Sequence, residues 1–324
     1  MIKSRFGAIL CAALMAAPAI AQDAADFPSK PIEFVVQNAP GGASDIFART
    51  LARSAEPILG QPLVVVNRAG GGGAAQMAAV KSAAPDGYTI GVNTLSHFTA
   101  MLTNLNGVFA PEDFSWIAMV QQDAHVLFVR EDSPYQTFAE LVEAKAAEGT
   151  PITAGGYGAV GSIANIATKL VVDAADAQMD WVGYDASTEA ITGLLGGHVE
   201  LAVANPGVVA EFAEAGRVRI LGVLAEERSS TFPDVPTFAE QGYDADAGWQ
   251  QIRGIYGPAG IPLEIRQKLA DSLIEAMQSE EFQQYQEQAA ITGTDLGPEA
   301  YAERVDSLIN LARNGLKATG VQAQ

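Results

Sequence analysis

Apolar and polar positions along the chain alternate between two periods. "IEFVV" at 32–36 is an apolar run of the kind expected for a strand buried on both faces. After "NAPGGASD" the period changes to helical, with Phe47, Leu51 and Ile58 on one side and Gly60 as the stop. "LVVV" (63–66) predicts the next strand, "NRAGGGGA" a loop, an alanine-rich stretch to Lys81 a helix, and "YTIGV" (88–92) a third strand. That order is a βαβαβ half of a doubly wound sheet.

A second unit of the same kind opens at "HVLFV" (125–129). It continues through a helix over 137–148, "PITAGGYGAVGSIANIATKL" as strand, loop and helix, and "MDWVGY" as a strand. A helix over 188–196, "VELAVAN", a helix over 207–215 and "VRILGV" (218–223) complete it. Beyond this the texture differs. "FPDVPTFAEQGY" is a proline-punctuated loop, "IRGIYGPAG" a strand and turn, and 262–318 is helical with breaks at Gly293 and Pro298. The two α/β units are alike in pattern only.

The first residues set the compartment. Lys3 and Arg5 precede the apolar run "FGAILCAALMAAPAI", too short to span a bilayer, and Ala19-Ile20-Ala21 has the small-x-small form of a cleavage site. We read residues 1–21 as a secretory signal peptide cut after Ala21, with no twin-arginine pair for export of a prefolded, cofactor-loaded chain. Cys11, the only cysteine, leaves with it, so disulfide, thiolate and cysteine-metal chemistry are excluded. Without Lys3 and Arg5 the balance is 17 Lys and Arg against 38 Asp and Glu, a net charge of −21. Such a charge argues against nucleic acid and anionic membrane as partners.

Three strands then enter helices through glycine-rich turns, at 39–44, 69–74 and 155–161. In an open parallel sheet such turns gather at the carboxyl ends of the strands. Each helix start there offers unpaired N–H groups and a partial positive charge. A strongly acidic protein can thus hold an acidic ligand with backbone dipoles. One glycine loop alone is only a tight turn; three converging loops point to an anion site.

The segment "FPSKPIEFVVQNAPGGASDIFARTLA…LGQPLVVVNRAGGGGAAQMAAVKSAAPDGYTI" resembles the start of the tripartite tricarboxylate transporter solute-binding receptors, the Bug or TctC family. So do "TFAELVEAKA", "YDASTEAITGLLGGHVELAVANP", "EAGRVRILGV", "FPDVPTFAEQGY" and "RGIYGPAGIP", and the likeness runs from Phe27 almost to the C-terminus. The resemblance implies a two-lobed α/β periplasmic-binding-protein fold of the Venus flytrap kind (type II), each lobe a doubly wound mixed sheet. It implies capture of a small carboxylate, di- or tricarboxylate such as citrate, and delivery to a large and a small membrane subunit. An aromatic carboxylate is the alternative ligand.

Carried over by position, the resemblance implies that Ala39, Pro40, Gly41, Gly42, Ala43 and Ser44 grip one carboxylate through their backbone, with Asp45 capping the helix and fixing the loop. Thr94, Leu95 and Ser96 match a hydroxyl-bearing wall. Gly155, Gly156, Tyr157, Gly161 and Ser162 match the opposing loop, and Asn205 the last ligand-facing position. Departures from many relatives are Gly155-Gly156 in place of Ser-Ser, Asn165 in place of His and Asp185 in place of Lys. The last two resemble the tricarboxylate-binding branch. Residues 22–124 with 223–324 are expected to form one lobe and 125–222 the other, joined by strands crossing near 121–126 and 221–226.

Competing chemistries are weaker. Gly156, Gly158 and Gly161 spell G-x-G-x-x-G with Asp185 downstream, the pattern of a dinucleotide-dependent oxidoreductase. An exported chain without a prefolded-export signal is a poor host for that cofactor. No G-x-S-x-G elbow surrounds Ser44 or Ser162, and His97, His125 and His198 fall in separate segments without ligand spacing. We therefore expect a monomeric receptor with no catalytic residues, no metal and no cofactor. His97 is expected to end a strand in the cleft, His125 and His198 to be structural or solvated, Trp249 and Tyr256 to be packing residues, and Tyr157 to gate the pocket. Gly42→Val and Gly156→Val are expected to block the carboxylate without unfolding the protein.

Overall fold

The computed structural model describes residues 26–289 and 291–321; the segment read as a signal peptide lies outside them. Among these residues, eleven strands form two sheets and ten α-helices pack around them. The expected βαβαβ half is β1 (Ile32–Val36), α1 (Ala43–Leu59), β2 (Leu63–Asn67), α2 (Ala74–Lys81) and β3 (Thr89–Asn93), with β1 parallel to both β2 and β3. Phe47 and Leu51 of α1 are fully buried as the periodicity predicts. In its last turn, after Pro57, Leu59 turns inward and Ile58 is left 37% exposed.

A short helix, α3 (Leu95–Met101), follows β3 where only a strand end was expected. Then β4 (Phe114–Asp123) crosses the first sheet and passes through Ala124 into β5 (His125–Arg130) of the second. The second unit is α4 (Phe138–Glu148), β6 (Ile152–Tyr157), α5 (Ile163–Ala174), β7 (Met179–Tyr184), α6 (Ser187–Leu195), β8 (Leu201–Ala204), α7 (Pro206–Glu214) and β9 (Val218–Leu224). Its sheet order is β7-β6-β8-β5-β9, mixed because β5 runs antiparallel to β8 and β9. The chain returns to the first sheet as β10 (Gln251–Pro258), antiparallel to β3 and β4. α8 (Leu263–Ala276), α9 (Glu280–Ala289), an edge strand β11 (Gly293–Leu296) and α10 (Pro298–Ala318) close it, in the order β11-β4-β10-β3-β1-β2.

The return lies later than expected. Val223 and Leu224 still pair with β5, Thr237 bridges to Val223, and Phe238 packs edge-on against Phe138 of α4 with ring centroids 5.2 Å apart. Residues 225–250 therefore cover the second sheet, and the first resumes at Gln251, where β10 pairs Asp123. α10 lies across the join: Leu308, Ala312 and Leu316 share a core with Ile166 and Val171 of α5. The lobes are thus connected by the β4–β5 strand passage, the 225–250 segment between β9 and β10, and one packed helix.

Candidate functional site

Between the sheets lies a cavity of about 330 Å³. Five helices begin on its wall: α1 through Ala43 and Ser44, α3 through Thr94 and Ser96, α5 through Gly161 to Ala164, α6 through Ser187 and α7 through Asn205. These helices follow β1, β3, β6, β7 and β8, so the convergence comes from the sheet topology. Their N-terminal partial charges add to a positive field in the hollow.

Two loops on opposite walls share one construction. In the first, Gly41 at φ +83° donates its N–H to Asp45 Oδ2 at 2.8 Å, and Gly42 N–H donates to the Ala39 carbonyl at 3.0 Å. In the second, Gly161 at φ +85° donates to Asn165 Oδ1 at 2.8 Å, and Ser162 N–H to the Ala159 carbonyl at 3.0 Å. The shared signal is legible in hindsight: "APGGASD" and "AVGSIAN" both read A-x-G-x-x-x with Asp or Asn last, 120 positions apart. Because those bonds occupy the glycine-turn amides, the donors left toward the cavity belong to the next two residues. They are Ala43 and Ser44 on one wall and Ile163 and Ala164 on the other, the first positions of α1 and α5.

That placement corrects the expected set. Ala43, Ser44, Thr94, Ser96, Tyr157, Gly161, Ser162 and Asn205 line the cavity. Ala39, Pro40, Gly41 and Gly42 do not; they form the turn behind Ala43. Leu95 is fully buried in the core. Gly155 and Gly156 lie within β6 and not in a loop, Gly155 paired on both edges and Gly156 with Gly183 of β7. A Cβ at Gly156 would come within 2.6 Å of Trp181 and 2.7 Å of Val203, so Gly156→Val disrupts packing rather than ligand approach. Gly42→Val meets Asn38 Cβ at 2.9 Å for the same reason. Of the three glycine turns only two reach the cavity, for no residue of 69–74 lines it. Asp185 is exposed and outside it.

Asp45 fixes its loop as expected. Besides Gly41 it takes both 3.0 Å bonds from Arg49 Nε and one of 2.8 Å from Asn67 Nδ2. The Arg49 guanidinium, with these amides, holds its carboxyl down at about 2 against the opposing effect of burial. Asn67 Nδ2 also donates to the Asn38 carbonyl at 2.8 Å, tying β2 to the turn. Opposite, Trp181 Nε1 donates to the Gly158 carbonyl at 3.0 Å and Trp249 Nε1 to the Ile163 carbonyl at 2.9 Å. Trp249 is a buried clamp on the second loop, and Tyr157 stands 57% exposed at the mouth.

Two histidines exchange their expected places. His97 lies in the first turn of α3, buried behind the wall. Its Nδ1 accepts the Thr94 N–H at 3.0 Å, which puts the proton on Nε2, 2.8 Å from Gln76 Oε1. Gln76 Nε2 in turn donates to the carbonyls of Val35 and Val92 at 2.8 and 2.7 Å. Burial holds His97 at about 4, so this neutral chain positions Thr94, whose hydroxyl lies 2.7 Å from that of Ser96. His125, expected outside, lines the cavity at the start of β5. Asn205 Nδ2, donating to the Ala124 carbonyl at 2.9 Å, ties α7 to the same crossing point.

Arg253 of β10 was not foreseen. It lines the cavity, is 8% exposed, and its guanidinium carbon sits 5.0 Å above the Phe47 ring. Nη1 donates to Gln121 Oε1, while Gln121 Nε2 donates to Asp123, whose carboxyl also takes the Thr292 N–H at 2.6 Å. Burial raises Asp123 to about 6 and lowers Arg253 from the ordinary arginine range. In "RGIYGPAGIP" nothing marks the arginine as inward; the alternation of β10 and its pairing with β4 decide that. Arg253 is the one cationic side chain on the described wall, and no carboxylate lines it. Four other surface hollows each carry acidic side chains, such as Glu226, Glu264, Glu112 and Asp295.

Sequence and structure comparisons converge. The model of the tripartite tricarboxylate transporter family receptor matches residues 47–314. The chain is 33% identical to protein BugT of Bordetella pertussis over 277 residues, 84% of this chain and 83% of that one. It is also 33% identical over 282 residues to the UPF0065 protein in the TAR-I ttuE-ttuC' intergenic region of Agrobacterium vitis, 85% and 79% of the two chains. The crystal structure of a TctC solute binding protein from Polaromonas superposes with a TM-score of 0.79 at 26% identity, covering 90% of this chain and 99% of that one.

Proposed function

The chain belongs to the tripartite tricarboxylate transporter receptor family, whose members are periplasmic binding proteins, and from that premise we propose that it captures a small organic acid in the cavity between its sheets. The observation that carries this reading is the composition of the wall. In a protein with twice as many acids as bases, the described residues around this hollow include no carboxylate, one buried arginine and five helix N-termini.

The amides of Ala43 and Ser44 hold one carboxylate and those of Ile163 and Ala164 a second. Arg253 supplies the net charge, and Thr94, Ser96, Ser162 and Ser187 complete the shell. Tyr157 is the one phenolic or phenyl ring on the described wall, which favours an aliphatic di- or tricarboxylate such as citrate over an aromatic acid. A ligand spanning both walls touches both loops only when the lobes are shut, so it selects the closed state. The lobes turn about Ala124 and the passage at Gln250. The closed, monomeric receptor delivers its ligand to a large and a small membrane subunit and performs no chemistry on it.

A thermal-shift screen of organic acids identifies the ligand, since binding raises the melting temperature by linkage. Two variants then test the cradle. Ala43→Pro and Ile163→Pro each delete one cavity-facing N–H at the first position of a helix, where proline is tolerated and the preceding residue is already extended. A hydrogen bond to a charged group contributes roughly 1.5–3 kcal/mol, so each variant should bind about 10- to 150-fold more weakly. Wild-type affinity in both disproves the amide cradle.

A further inference from the structure

Two carboxylates are buried among the described residues, Asp45 and Asp123. Asp45 forms an ion pair with Arg49 and fixes the first loop. Asp123, 3% exposed, has no such contact and reaches a cation through one amide. Arg253 Nη1 donates to Gln121 Oε1, and Gln121 Nε2 donates to Asp123 Oδ2. Asp123 Oδ1 takes the Thr292 N–H at 2.6 Å. Asp123 is also the last residue of β4, beside Ala124, where the chain crosses between the lobes.

The elements packed around this carboxyl are otherwise neutral or already paired. β10 supplies Arg253, and α9 supplies Tyr285, a phenol that burial keeps neutral. α10 presents Tyr301, bonded to Asn93, and α8 sets Leu269 and Leu273 in one core with Ile117 and Val120 of β4. α1 keeps Asp45 with Arg49, and its Arg53 with Glu281 of α9. His125, two residues on in β5, is held neutral by burial. Arg253 is therefore the charge that opposes burial of Asp123, and burial prevails, leaving the carboxyl raised to about 6.

Arg253 also borders the interlobe cavity. Its Nη1 is bound to Gln121 and its Nε is sealed without a partner, which leaves Nη2 to meet an anion. One guanidinium then serves two anions, the ligand's carboxylate on the cavity side and Asp123 behind it. Like charges that share one site disfavour each other's ionised form. The bound acid thus opposes ionised Asp123, and by reciprocity ionised Asp123 opposes the acid. We propose, resting on the carboxylate reading, that Asp123 takes up a proton as the acid binds at Arg253, so that this buried carboxyl tunes capture to pH. The proton is drawn from the solvent, and binding tightens as the pH falls.

Calorimetric titration of the full chain with succinate, malate, citrate and tricarballylate, in PIPES and in imidazole at pH 6.5, counts the protons that accompany binding. If the carboxyl rises from about 6 to about 7 in the complex, the wild type takes up about half a proton more than Asp123→Asn. The acid's own protonation is common to both proteins and cancels. Wild-type affinity, taken relative to the variant, should rise about sixfold from pH 7.5 to 5.5. At pH 7.5 Asp123→Asn, which keeps the neutral form permanently, should bind about eightfold more tightly than the wild type. Damage to packing does not produce such a gain. If the variant does not fold, the Asp123 carboxyl carbon resonance of the wild-type protein should titrate at higher pH with the acid than without it. Equal proton counts, unchanged or weaker binding by Asp123→Asn at pH 7.5, or an Asp123 titration that the acid does not move overturns the inference and leaves the carboxylate reading standing. Failure of all four acids to bind overturns both.

Discussion

The two loops that face each other across the cavity reach one geometry by different chemistry. Loop 39–45 is locked by a carboxylate, loop 159–165 by a neutral amide, each accepting a glycine N–H four residues back at 2.8 Å. Asp45 requires Arg49 and Asn67 around it, because a bare carboxylate beside an anion site would repel the ligand. Asn165 needs no such escort. Lys169, the residue that corresponds to Arg49, is paired instead with Asp173 one turn on. The caps differ for a steric reason. Ser162 accepts the Asn165 N–H at 3.2 Å and donates to the Tyr157 carbonyl at 3.0 Å, whereas Gly42 leaves no room for a side chain beside Asn38. Geometry, more than residue type, is what the two walls share, and only the first carries formal charge, always neutralised.

The cation on the first-sheet side provides the largest test of this asymmetry. Arg253→Gln should weaken binding of the ligand acid by about 100-fold, the range for one charge-assisted bond in a desolvated site. It also leaves Asp123 without its counter-charge. A carboxyl whose folded pKa is raised contributes stability at low pH that is lost as pH rises through that value. The variant's melting temperature should therefore fall on going from pH 5 to 7.5, through the region of about 6 where Asp123 already titrates. Unchanged affinity would remove Arg253 from the site.

The exchange of lock residues comes next. Asn165→Asp places an unescorted carboxylate beside the second pair of amides and should cost about 10- to 30-fold in affinity at pH 7, recovered at low salt only if Lys169 leaves Asp173. Titration calorimetry at two ionic strengths reads this. The reverse exchange, Asp45→Asn, should change affinity less than threefold. Its effect is on acid stability. Asp45, lowered from 3.8 to about 2, contributes stability that is present above pH 4 and lost as pH falls toward 2. That contribution is of order 2 kcal/mol, so the acid limb of the melting-temperature profile should flatten in the variant. An identical limb in both proteins would mean that Asp45 is not held by charge.

The strand and helix pattern was readable almost element by element, since burial imposes its period on every segment. Three features escaped it. Gly155 and Gly156 look like loop residues but pack inside β6, because Trp181 and Tyr184 of the neighbouring strand fill the space above them. α3 and the edge strand β11 carry no readable period, the first being only seven residues long and the second four. The histidines were placed oppositely, since one residue of shift at the end of β3 turns His97 into a helix that buries it. Periodicity records which face of an element is apolar; it does not record what stands opposite.

Acidity, the α/β alternation and the glycine turns follow from local composition and spacing, each set by a few neighbouring residues. Which amides remain free, and that Arg253 and His125 border one cavity, depends on strands paired across more than a hundred residues. Those long-range pairings choose among side chains that are chemically alike along the chain. Only the packed fold determines which of them lose water and meet the ligand.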